Sequence, residues 1–172
     1  MGRVYWFTGL SGAGKTTAAR SLVEALRGQG KFTIFLDGDE LRDAMGAGDS
    51  YSRDERLALA MRYAKLCKML SEQGAIVVIA TISMFEEIYT WNRENLKGYL
   101  QVYLDVPIEE LEKRDSKKIY QRAKSGALRN VAGIDFEVDI PKEADIHVLW
   151  DGRITPEDVS QQVLEYTGNV NN

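Results

Sequence analysis

Apolar positions along this chain follow two alternating rhythms: short continuous runs, and longer stretches in which they recur every three to four residues. The runs Val4–Thr8, Phe32–Leu36, Ala75–Ala80, Tyr99–Leu104 and Ile146–Trp150 are rich in β-branched, aromatic and aliphatic residues and predict five strands. Ala75-Ile-Val-Val-Ile-Ala80 has no polar alternation, the pattern of a central strand covered on both faces. Between the runs, Thr17–Leu26, Ser52–Glu72, Met84–Leu96 and Ile108–Asp115 carry helical spacing, and Thr155, Pro156 and Asp158 open a last helix. Ser52 followed three residues later by Glu55 spells a capping box. Strand and helix alternating in this way predict βαβ units: an α/β fold of three layers, with a parallel five-stranded sheet flanked by helices.

Two stretches break the rhythm. Residues 40–51, with Gly46, Gly48 and Asp49, read as a flexible loop; residues 116–141 are polar, glycine-punctuated and basic at first. Residues 168–172 read as a frayed tail.

Composition narrows the class. At 172 residues and 44% hydrophobic content, residues 1–172 suit one domain with a core large enough to fold without staples. A net charge of -4 argues against nucleic acid as the main partner. Cys67 is the only cysteine, so no internal disulfide forms, and its helical setting predicts a small buried apolar role. No apolar run is long enough for a membrane span, and the first run leads straight into a motif that a removable leader would destroy. Trp6 stands where a myristoylation motif needs Ser or Thr, and a cytoplasmic location is the default expectation.

That motif is Gly9-Leu-Ser-Gly-Ala-Gly14-Lys15-Thr16, which fits G-x-x-x-x-G-K-[ST] between a predicted strand and a predicted helix. Its glycines permit tight left-handed turns, so that the N–H groups of Gly9, Ser11, Gly12, Ala13, Gly14, Lys15, Thr16 and Thr17 can converge on phosphate oxygens. Lys15 reaches toward the β- and γ-phosphates of ATP, and Thr16 offers a hydroxyl to Mg²⁺ at the positive end of the helix. A turn that merely joins strand to helix is the bland alternative.

A P-loop alone does not separate kinases from switches or motors. A guanine-reading Asn-Lys-x-Asp segment is absent, and Asp43-Ala-Met-Gly46 falls in a polar stretch, which argues against a GTPase. A small kinase needs an acceptor site, a carboxylate beside the attacking hydroxyl, and cations for the transferring phosphoryl. Asp37 and Asp39 at the end of strand two supply carboxylates, for general-base work or on the metal side, although Asp-Gly is also a good turn former. Arg42, Arg53 and Arg56 can clamp an anionic acceptor, or can be solvated helix faces. Arg114, Lys117, Lys118, Arg122 and Lys124 form a basic run suited to a lid of about residues 114–130 that closes over phosphates, Arg114 on the ATP side.

Together these residues resemble the adenylylsulfate kinases over roughly residues 3–152: Gly9–Thr17, Leu36-Asp-Gly-Asp39 with Arg42, Tyr51-Ser-Arg-Asp-Glu-Arg56, Ala80-Thr-Ile-Ser83, Val102-Tyr-Leu-Asp-Val-Pro107, and Lys113-Arg-Asp115 followed by Lys117 and Tyr120. The resemblance implies a P-loop kinase fold with a lid, commonly dimeric, that moves the γ-phosphoryl of ATP to the 3′-hydroxyl of adenosine 5′-phosphosulfate with Mg²⁺. It implies Lys15, Asp37 and Ser83 as the catalytic set, with Thr16 and Asp37 on the metal. It further implies Asp39, Arg42, Arg53, Arg56, Ile82, Ser83, Phe85, Lys117 and Tyr120 around the acceptor. The family's serine at the Ser83 position is often labelled a phosphoserine intermediate; in-line transfer needs none, and Ser83 is expected to position groups.

The departures cluster on the acceptor side. Leu59 stands where the family has an acceptor-holding Asn, Glu86 where it has Arg, and Lys118 where the lid has Gly, while the Asp-Asp-Pro-Tyr-Glu segment is altered around Ile134-Asp-Phe-Glu-Val138. Phe85 keeps an aromatic face for a base. A cytidine diphosphoramidate kinase of capsule biosynthesis, similar around Ile-Ser-x-Phe and Trp91-Asn-Arg93, is therefore the second expectation, and a catalytically silent nucleotide-binding module a third. Tyr89 and Trp91 are interface candidates that core packing explains equally well.

Overall fold

In a computed structural model of the chain, the described residues are 2–47, 52–115 and 118–170. Five strands, β1 (Arg3–Thr8), β2 (Thr33–Asp37), β3 (Ile76–Ala80), β4 (Tyr99–Asp105) and β5 (Ile146–Leu149), form one sheet in the order β2-β3-β1-β4-β5. Every pairing is parallel, with Tyr5 beside Val78 on one side and Leu100 on the other. The predicted strand set and sheet type are those observed.

The pleat divides β1 between two cores. Tyr5 and Phe7 face α1 (Lys15–Gly28) and α7 (Pro156–Val170) with Leu22, Leu26 and Val163; Val4 and Trp6 face α3 (Arg53–Glu72) and α4 (Glu86–Asn95) with Tyr63, Cys67 and Ile88. Trp6 is fully buried, and its truncation to Ala would cost about 3–5 kcal/mol. Cys67 is wholly buried in the α3 layer, and burial pushes its thiol pKa up, so it serves as packing.

Three helices stand where the sequence predicts none or places a boundary differently. Residues 38–44, expected to lie mostly in a flexible loop, form α2 (Gly38–Ala44): Asp37 caps it by accepting from the Asp39 N–H at 2.9 Å, and buried Leu41 anchors it. The remainder of that stretch from residue 48 to 51 lies outside the described residues. After α5 (Ile108–Lys113), the basic stretch folds into α6 (Ile119–Lys124), opened by the Asp115 carboxylate, which accepts from the N–H groups of Ile119, Tyr120 and Gln121. The expected tail is helical through Val170, and 171–172 lie outside the described residues. Tyr89 is buried and Trp91 packs partly into the α3 layer, so core packing accounts for both. Among the described residues no helix is long and apolar enough to cross a membrane.

Candidate active site

Order 2-3-1-4-5 sends the chain to both sides of β1, so the segments after β1, β2 and β3 meet on the rim at the strands' C-terminal ends. The P-loop follows β1. Gly9 has φ 148° and a Cβ there would meet the Leu104 carbonyl oxygen at 2.6 Å; Gly14, the α1 N-cap, has φ 91°. The loop thus opens α1 with its first N–H groups turned toward the rim. Lys15 Nζ donates to the Leu10 carbonyl at 2.7 Å, inside the loop it is meant to serve. Thr16 Oγ1 donates to Asp37 Oδ2 at 2.7 Å, tying the first turn of α1 to the end of β2. This set fits a triphosphate with its metal: a cation beside the loop, a hydroxyl and a carboxylate side by side, and the positive end of a helix.

One flank of the loop is a largely apolar slot lined by Ala13, Gly14, Val106, Arg114, Trp150 and Pro156. Arg114 stacks its guanidinium 3.9 Å from the Trp150 ring centroid and is held by Glu110 at 3.1 Å, so its planar face borders the slot.

The other flank holds two adjoining cavities. A pocket is lined by Phe85 and Phe136 together with Leu59, Tyr63, Thr81, Ser83 and Gly38. A second cavity reaches the P-loop at Ser11 and is lined by Arg42, Arg56, Arg122 and Arg129. Arg42, Arg56, Ile82 and Ala132 line both, so a pocket with two aromatic rings adjoins an arginine-lined channel.

Local chemistry fixes these walls. Ser83 has φ 32°, a left-handed backbone that costs a non-glycine residue about 1–3 kcal/mol, and its hydroxyl lies 2.8 Å from that of Thr81. Thr8 donates to the Ile82 carbonyl, and Arg56 Nη2 donates to the Asn130 carbonyl at 2.8 Å. Asp39 pairs with Arg42 at 2.6 Å, holding it over the channel.

The expected site residues therefore separate into groups. Gly9, Ser11, Gly12, Ala13, Gly14, Lys15 and Thr16 form the loop, with Thr17 exposed on the first turn of α1. Arg42, Arg56, Ile82, Ser83 and Phe85 line the cavities beside it, and Arg114 lines the opposite slot. Tyr120 sits elsewhere than expected: its ring is buried, and its hydroxyl donates to the Ser11 carbonyl at 2.7 Å, fastening α6 to the P-loop. Burial pushes that phenol's pKa up to about 12, so it remains a donor. Arg53 lies outside both cavities, against Asp139 and Glu87. Lys117 lies outside the described residues. Sequence reasoning missed Phe136 and Arg129; both fall in the irregular stretch after α6, where no periodicity shows which side chains turn inward.

A parallel five-stranded sheet with a P-loop after β1 and a basic helix over it defines a P-loop kinase fold. Residues 1–149 match the family described as adenylylsulphate kinase, and the chain belongs to that family. It is 45% identical over 143 residues to the cytidine diphosphoramidate kinase of Campylobacter jejuni, covering 83% of each chain. It is 41% identical over 147 residues to the adenylyl-sulfate kinase of Pseudomonas aeruginosa, covering 84% of this chain and 75% of that one. The Mycobacterium tuberculosis APS kinase in complex with AMPPNP and APS superposes with a TM-score of 0.89 at 28% identity, covering 97% of this chain and 98% of that one. Its relatives make it a nucleotide kinase by descent.

Proposed function

We propose that the protein transfers the γ-phosphoryl group of ATP to the 3′-hydroxyl of a nucleotide whose 5′ end carries a further anionic group, with a cytidine diphosphoramidate type of acceptor as the first reading. The observation that carries the kinase reading is the continuity of the Phe85–Phe136 pocket with the channel of Arg42, Arg56, Arg122 and Arg129, which ends at the P-loop. A base stacks between the rings, the 5′ phosphates meet the arginines, and the ribose lies near the loop.

In the reaction the acceptor oxygen attacks the γ-phosphorus, the bond to the β–γ bridging oxygen breaks, and the hydroxyl proton passes to the Asp37 carboxylate. Lys15 leaves the Leu10 carbonyl for the γ-phosphate, and Arg114 with Trp150 grips the donor base. Thr16 and Asp37 would hold Mg²⁺, which screens phosphate charge. Ser83 positions groups through Thr81.

Acceptor choice rests on Leu59, which places an apolar wall in the pocket where the resemblance expects an amide, and on the 45% identical Campylobacter relative. Adenylylsulfate is the second reading, favoured by the 41% identical Pseudomonas relative and by Asp37 and Arg42, both matched to the family. A coupled ADP-release assay with each acceptor tests this. Turnover with the cytidine compound alone is expected; turnover with adenylylsulfate alone overturns the acceptor, and none with any nucleotide overturns the kinase in favour of a binding module. A homodimer, proposed from the family's habit, is checked by light scattering.

A further inference from the structure

Helix α3 sends two arginines, one turn apart, to opposite ends of one segment. Arg56 donates to the carbonyl of Asn130 at 2.8 Å, and Arg53 Nη2 lies 3.3 Å from Asp139 Oδ2. Between those ends, Ala132, Phe136 and Val138 form one wall of the pocket assigned to the acceptor base. The segment has no helix or strand of its own: it is closed on itself by a bridge between Ala132 and Phe136, by the Asp135 carboxylate accepting from the Val131 N–H at 2.7 Å, and by the N–H groups of Gly133, Ile134 and Asp135 donating to the Phe136 and Val131 carbonyls. Those bonds close turns within the segment and tie it to no neighbouring strand, so its placement rests on the packing of Val131, Ala132, Phe136 and Val138 and on what fastens its ends.

Asp139 fastens more than Arg53. The same Oδ2 accepts from the Glu86 N–H at 3.0 Å in the first turn of α4, a helix whose N-cap, Phe85, offers no side-chain cap. Its backbone N–H donates to the Met84 carbonyl at 3.1 Å, and its carbonyl accepts from the Tyr89 hydroxyl at 2.7 Å. Met84 and Phe85 line the same pocket. The Arg53 guanidinium also lies 5.2 Å from the Phe85 ring centroid, with Glu87 at 3.6 Å from its other nitrogen. One ion pair thus touches both the segment and the start of α4, each of which contributes to the pocket, without lining it.

We infer that Arg53 and Asp139 are positioning residues, a latch that holds segment 130–139 against the start of α4 and so sets the spacing of Phe85 and Phe136 for the acceptor base. This rests on the reading of that pocket as the acceptor site. Both side chains are about two-fifths exposed, so the pair adds little to global stability and its effect is local.

The test uses Arg53→Gln, Asp139→Asn and the double variant in the full chain. Each single change raises the acceptor KM about five- to tenfold and leaves the ATP KM and kcat within about twofold, and the double variant is no worse than the worse single, because both report one interaction. In hydrogen exchange of the protein alone, amides of 131–140 and 86–89 exchange faster in each variant while those of 10–18 do not change. Additive losses, an unchanged acceptor KM, or equal effects on both substrates overturn the latch. Should no nucleotide turn over, the exchange measurement still decides: unchanged protection of 131–140 rejects the latch, whereas faster exchange keeps it and only the acceptor reading falls.

Discussion

Thr16 and Asp37, twenty-one residues apart, meet through a 2.7 Å hydrogen bond between the threonine hydroxyl and carboxylate Oδ2. The other carboxylate oxygen caps α2 through the Asp39 N–H, so Asp37 is aimed by the helix it opens. A hydroxyl and a carboxylate prearranged in this way are suited to share one cation. Thr16→Val and Asp37→Asn should each lower kcat about 10²- to 10³-fold, and Thr16→Val should raise the Mg²⁺ concentration needed for half-maximal rate. A magnesium titration of steady-state rate checks this, and an unshifted midpoint in Thr16→Val would remove that residue from the metal side.

Lys15 is the second element of the proposed donor site. Its ammonium rests on the Leu10 carbonyl, a bond that a γ-phosphate oxygen can replace with a full charge pair. Lys15→Ala should reduce transfer at least about 10³-fold at saturating ATP, with the thermal midpoint kept near that of the parent because the side chain is only partly buried. Normal activity in that variant would contradict the site assignment.

The donor base should be separable from the acceptor base. Arg114 and Trp150 border a slot on the Gly14 side of the loop, while Phe85 and Phe136 border one on the far side of Ser11. Trp150→Ala should raise the ATP KM about five- to twentyfold, the loss expected when one aromatic face is removed from a stacked base, and leave the acceptor KM nearly unchanged. Initial-rate kinetics with each substrate varied in turn distinguish the two; a rise confined to the acceptor KM would exchange the assignments.

Much of this site was legible from spacing alone, because the P-loop's residues interact with what is next to them in sequence. The capping box at Ser52 and Glu55 was readable for the same local reason. Residues whose roles depend on long-range contacts were not. Arg53 looked like an acceptor clamp by its place beside Arg56, yet it faces Asp139, eighty-six residues on. Tyr120 looked like a binding residue, yet its hydroxyl donates to the Ser11 carbonyl, one hundred and nine residues back. The Asp37-Gly38 pair read as a turn or a loop entry; only the packing of Leu41 into the α3 layer makes it a helix start.

Helix α3 also supplies a pH-dependent contribution. Hydrogen bonds from the Ser52 backbone and side chain hold the Glu55 carboxyl below its ordinary range. Because the folded value is lowered, the contribution is fully present above the unfolded value near pH 4.3, and is lost as pH falls through the folded one, since the unfolded chain takes up the proton first. Glu55→Ala should therefore lower the melting temperature at pH 7, with the gap from the parent shrinking below about pH 4. Thermal unfolding at pH 7, 5, 4 and 3 checks it, and a gap that widened toward acid would reverse the sign.

Acceptor choice turns on one wall of the pocket. Leu59 is nearly buried and lies with Phe85 and Phe136 around the cavity, where it offers shape and no hydrogen bond. A site that relies on a donor or acceptor to read a base edge rejects analogues lacking it strongly, whereas an apolar wall discriminates mainly by size. Leu59→Asn introduces an amide at that wall, with Tyr63 and Thr81 nearby to orient it. It should shift the ratio of kcat/KM for adenylylsulfate over the cytidine acceptor upward about ten- to a hundredfold, mostly through KM, since the change touches the base and not the reacting oxygen. Competition between the two acceptors at limiting ATP measures that ratio directly. If it does not move while both KM values rise together, Leu59 packs the pocket without selecting its occupant, and selectivity must reside in the arginine channel.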